Sequence, residues 1–102
     1  MSVLIFDDDN KISVPVASER YFNSVWEKAI NELNLHYIGN GKYINLHDLT
    51  EILEEFLKVR VWAKENLSGC DKDYVVDRIN YILEYLPKCW NENDDIKQLY
   101  MG

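Results

Sequence analysis

Apolar residues recur at three- and four-residue steps along three stretches of this chain and alternate with polar ones in shorter pieces between them, so the change of period divides it into elements. The run Val3-Leu4-Ile5-Phe6, the turn cluster Asp7-Asp8-Asp9-Asn10-Lys11 and the alternating Ile12-Ser13-Val14-Pro15-Val16 predict a β-hairpin over residues 2–17. Pro15 has no N–H to give to a ladder, so the second strand is expected to lie at a sheet edge or to end there. Ser18 then caps a helix reaching about Asn34, with Phe22, Val25, Trp26, Ala29, Ile30 and Leu33 as its buried stripe.

In residues 35–45, Gly39-Asn40-Gly41 tolerates positive φ between the β-prone pieces His36-Tyr37-Ile38 and Lys42-Tyr43-Ile44, which predicts a second hairpin. Asn45 is the expected cap of a central helix running to about Glu65 through Leu49, Ile52, Leu53, Phe56, Val59 or Arg60, and Ala63. Leu57, Val61 and Trp62 fall partly off that stripe, so the helix either touches structure on a second side or leaves an apolar patch outside. After a turn at residues 66–70, Asp71 caps a third helix whose inward positions are Val75, Ile79, Ile82, Leu83 and Leu86, and Pro87 ends it. Residues 88–102 read as a short closing helix. The sum is a single α+β domain, residues 1–102, of about three helices packed on one or two small antiparallel hairpins. An all-α bundle is the alternative if the glycines at 39 and 41 mark only a loop.

Length leaves room for one core, because a chain of 102 residues has little interior to spare for a deep cofactor pocket. No cofactor is expected. The N-terminus lacks the basic and long apolar regions of a secretory signal, and no apolar run approaches a bilayer span, so the expected location is the cytoplasm. Cys70 and Cys89 stand without CxxC spacing, and with the distant His36 and His47 they match no zinc pattern; reduced thiols and no metal are expected.

Charge narrows the partners. A formal net charge of −7 disfavours direct contact with nucleic acid, since phosphate binding rests on lysine and arginine. On the central helix the acids Asp48, Glu51, Glu54 and Glu55 come early and Lys58, Arg60 and Lys64 late, which suits the helix dipole and allows a Glu54–Lys58 pair. The aspartates at 7–9 do not fit a calcium loop, because Lys11 or Ile12 would fall on a ligand position; a polar hairpin turn explains them. No phosphate loop, nucleophile elbow, dinucleotide fingerprint or HExxH occurs. An enzyme using Glu51 and Glu55 beside His47 would need those groups to converge in a pocket.

Tyrosine is the remaining signal. Tyr74, Tyr81 and Tyr85 share a stripe of the third helix with Arg78, and Trp90 with Glu92, Asp94 and Asp95 extends the same chemistry if the tail folds back. Rigid aromatics beside charges are the residues that anchor protein interfaces. The expected function is therefore a non-catalytic protein-binding module whose acidic, tyrosine-bearing surface (Tyr74, Tyr81, Tyr85, Trp90, Glu92, Asp94, Asp95) engages a basic protein, with no membrane partner. In composition the chain resembles the bacterial immunity proteins that neutralise toxins, although no motif of a particular family of them is present. The alternative is a self-associating structural or accessory subunit, in which Leu57, Val61 and Trp62 form a homodimer patch.

Overall fold

The computed structural model describes residues 2–102 and is α+β: three helices packed against one four-stranded antiparallel sheet. Strands β1 (Ser2–Phe6) and β2 (Ser13–Ser18) form the expected first hairpin. Its turn is closed by Asp7, whose carboxylate accepts the Ile12 amide at 2.7 Å and the Asp9 amide at 3.2 Å, while Asn10 takes the left-handed conformation at φ 56°. The register slips between Val3, opposite Ala17, and Leu4, opposite Pro15. One extra residue is thereby absorbed in β2, and Val16 and Ala17 are both buried despite being neighbours. Pro15 lies on an edge strand, as its missing N–H requires.

Helix α1 spans residues 19–33, opening with Glu19–Tyr21 and closing with Glu27–Leu33. Ser18 Oγ accepts the Tyr21 amide at 3.2 Å, the cap the sequence predicts. A π-helical stretch, Phe22–Trp26, interrupts it, and there the Phe22 and Trp26 rings stack at 5.9 Å between centroids, both fully buried. The helix ends in a Schellman motif: Asn34 is left-handed at φ 55°, its amide reaches Asn31 O, and the Leu35 amide reaches Ile30 O.

The second hairpin does not form. Strand β3 (Lys42–Asn45) pairs instead with β4 (Gln98–Met101), which also pairs with β1, giving the order β2-β1-β4-β3. The tail read as a closing helix is therefore an inner strand. Its period is two, with Leu99 and Met101 buried and Tyr100 half-buried, and Gly41, at φ 90°, donates to Met101 O at 2.7 Å where β3 begins.

A 3₁₀ turn, Leu46–Asp48, leads into α2 (Leu49–Asn66); Asn45 stands at the N-cap position of that turn, extended at the end of β3, but its side chain makes no capping bond and its Oδ1 accepts from Gln98 Nε2 at 2.9 Å instead. Helix α3 (Gly69–Glu92) starts two residues before Asp71 and continues through Pro87. Burial of Trp90 outweighs the hydrogen bond that Pro87 removes. One turn beyond Leu86, the Trp90 ring is wholly enclosed, and its indole N–H donates to Ile96 O at 2.6 Å, fixing the loop into β4. Val3, Ile5, Val14, Ile44, Leu99 and Met101 from the sheet meet Phe22, Trp26, Ile52, Phe56, Ile79, Ile82 and Leu86 from the helices in one core. Among the described residues no helix is long and apolar enough to cross a membrane.

Candidate functional site: the tyrosine face of the third helix

Val75, Ile79, Ile82, Leu86 and Trp90 of α3 are buried at steps of four, three, four and four, which fixes the rotation of the helix. That rotation turns Tyr74, Tyr81 and Tyr85 outward, 43%, 38% and 38% exposed. Tyr74 and Tyr85 are eleven residues apart, so the stripe runs about 17 Å along the helix axis. Tyr81 and Tyr85 lie 4.4 Å apart between ring centroids, and the Arg78 guanidinium sits 5.6 Å from the Tyr81 ring centre. Between Tyr74, Asp77, Arg78 and Tyr81 lies a shallow groove of about 290 Å³.

Tyr21 of α1 joins this face, a residue the sequence pattern gave no reason to include. Its ring meets Tyr74 edge-on at 4.9 Å, and its hydroxyl donates to Asp71 O and Oδ1 in long bonds of 3.3 and 3.4 Å. Partial burial, then the Asp71 charge and hydrogen bond, push the Tyr21 phenol above its ordinary value, so it remains a neutral donor through the physiological range. A tyrosine spaced fifty residues from its acceptor carries no local signal in the sequence. Asp71, read as a helix cap, serves here as that acceptor.

The remaining residues of the expected surface divide. Glu92, Asp94 and Asp95 are exposed at and after the C-terminal end of α3. Trp90 is 0% exposed and belongs to the core, so it cannot meet a partner; its N–H is spent inside the fold. Around the tyrosines, Asp71, Asp73, Asp77 and Glu84 are all exposed, against Lys72 and Arg78, which are half-covered.

Glu55 is the largest departure from a solvated acidic face. It is 6% exposed, and Oε2 accepts the His36 amide at 2.8 Å while Oε1 accepts those of Tyr37 and Ile38 at 2.9 and 3.0 Å. Both oxygens are thus committed to the loop, whereas Glu51 and His47 stay exposed. The Glu54–Lys58 pair is not made: among the described residues the one contact within 4.0 Å between a carboxylate and a basic side chain is His47 to Asp48, at 3.5 Å, an ion pair only when the imidazole carries a proton. Cys70 and Cys89 are both free. No protein-family model, curated protein or solved structure matches the chain.

Proposed function

We propose that this chain is a non-catalytic protein-binding module of the cytoplasm, an inhibitor of immunity type, whose tyrosine face on α3 engages a basic protein. The observation that carries this reading is the outward set of Tyr74, Tyr81 and Tyr85 within a rim of exposed carboxylates. The rings contact one another, Tyr21 and Arg78, but the area they leave in water adds nothing to the stability of the domain itself. Offered to a partner, the same rings bury large rigid area at small entropic cost, while the acids raise the rate of encounter with a positive surface and exclude negative ones. Carboxylates placed where a nucleic-acid-acting protein expects phosphates would block it by occupation, and the net charge of −7 supports that mode.

The test is capture from native extract at low salt with three baits: the wild-type chain, Y81A/Y85A, and a charge reversal of Glu92, Asp94 and Asp95. A basic protein held stoichiometrically by wild type and released by salt supports the reading if the tyrosine variant loses about thirty-fold or more in affinity, the scale of an interface hot spot. The charge variant should bind more weakly and with a shallower salt dependence. Equal capture by all three baits overturns the assignment of this face.

A further inference from the structure

Leu33 at the end of α1 and Leu57, Lys58, Val61, Trp62 and Glu65 of α2 line a second groove, of about 320 Å³. Val61 is 55% and Leu57 38% exposed, while Trp62 forms the floor, held by its indole N–H on Glu32 Oε2 at 2.6 Å. Lys58 and Glu65 stand seven residues apart, two helical turns, so they share one side of the helix. Both are exposed and neither is in an ion pair among the described residues.

We propose that this groove is the contact between two copies of the chain, related by a two-fold axis that crosses α2 midway between Val61 and Trp62. Lys58 and Glu65 are equidistant from that point. An antiparallel pairing of the two α2 helices therefore sets Lys58 of each copy against Glu65 of the other and lays each Val61 over the facing Trp62. A parallel pairing would oppose Lys58 to Lys58 and Glu65 to Glu65, so the charges select the orientation as well as the partner. One charge of each sign about an apolar centre is self-complementary, which a surface built for a basic protein is not. Helices of about 27 Å crossing along one face cover an area at the low end of specific interfaces, so the dimer is weak and forms at high concentration. The groove shares no residue with the tyrosine face, and this inference does not depend on the function proposed above.

Sedimentation of the full chain across a concentration series tests it, with the far-ultraviolet circular dichroism of each variant as the check on folding. Wild type should pass from monomer to dimer, and K58E and E65K should each weaken dimerisation at least tenfold, since two attractive contacts become two repulsive ones. The double swap K58E/E65K should restore it. An equimolar mixture of K58E with E65K should give a mixed dimer, because both cross-contacts are then attractive. A wild-type chain that stays monomeric at millimolar concentration overturns the proposal and leaves the groove to a different protein. A dimer that survives both single reversals, or a double swap that does not recover, places the contact elsewhere and overturns it equally.

Discussion

Glu55 Oε1 accepts the Ile38 amide at 3.0 Å, and through this bond a side chain of α2 completes the backbone of a loop seventeen residues earlier. The amides of His36 and Tyr37 end on the same carboxylate. Three donors that would otherwise belong to a strand ladder are satisfied by one charged acceptor, so the loop needs no partner strand, and β3 is free to pair with β4. Glu55→Ala should destabilise the domain by about 3 kcal/mol or more, because buried amides are left without an acceptor. Glu55→Gln, with one oxygen instead of two, should fall between wild type and alanine. Equilibrium unfolding in urea measures both, and a loss from E55A as small as an exposed substitution gives would contradict the clamp.

Trp26 and Trp90 are equally enclosed but differently connected. Trp90 Nε1 donates to Ile96 O, whereas Trp26 Nε1 is buried without a partner among the described residues. Replacement by phenylalanine removes ring volume at both sites, yet only at position 90 does it also orphan a carbonyl. W90F should therefore cost about 1–2 kcal/mol more than W26F in the same unfolding experiment. Equal costs would mean that the Trp90–Ile96 bond adds nothing beyond packing.

Elements with a full helical period were legible, as was the first hairpin: Ser18, the stripe from Phe22 to Ile30, and the inward set of α3 from Val75 to Leu86 stand where the pattern puts them. What escaped was decided by groups far apart in the chain. Strand β4 offers only four residues of alternation, too few to outweigh a helical reading until β1 and β3 are placed on either side of it. His36-Tyr37-Ile38 has strand composition but an acceptor on a helix. Glu55 has the sequence neighbours of a solvated acid, and nothing local distinguishes it from Glu54 or Glu51. On the tyrosine face, spacing brought Tyr74, Tyr81 and Tyr85 together correctly, whereas Tyr21 required the packing of α1 against α3.

Acid should open the β1–β2 turn. The Ile12 amide, with a smaller contribution from that of Asp9, holds the Asp7 carboxyl below its usual value of 3.8, against a lesser upward push from burial. A carboxyl whose folded-state value is depressed binds its proton more readily in the unfolded chain. Its contribution to stability is therefore complete above about pH 4 and is lost as the pH falls through the lower folded-state value. D7A should be less stable than wild type at neutral pH, and the gap should narrow as the pH falls below 3.8 and wild type takes up the proton that ends the same interaction. Unfolding midpoints for both proteins across that range provide the check; a gap independent of pH would assign the effect of D7A to chain conformation alone.

Pro87 sits inside α3 between Leu86 and Trp90, and the helix continues past it to Glu92. With no N–H, Pro87 leaves the Leu83 carbonyl without its ordinary donor, and its ring crowds that carbonyl, a combination that costs about 3 kcal/mol in a helix interior. Proline also restricts the unfolded chain, which returns about 0.4–1 kcal/mol to the folded side. Substitution by alanine should therefore stabilise the domain by about 2 kcal/mol, with Trp90 and its bond to Ile96 O retained because the helix no longer has to accommodate the ring. Thermal unfolding is the direct measurement, and for a domain of this size that gain corresponds to a rise of about 8–16 °C in Tm. A variant that is no more stable than wild type would mean that contacts of the half-buried proline ring itself hold the end of α3 against the sheet, and that the loop into β4 is positioned by residue 87 as well as by Trp90.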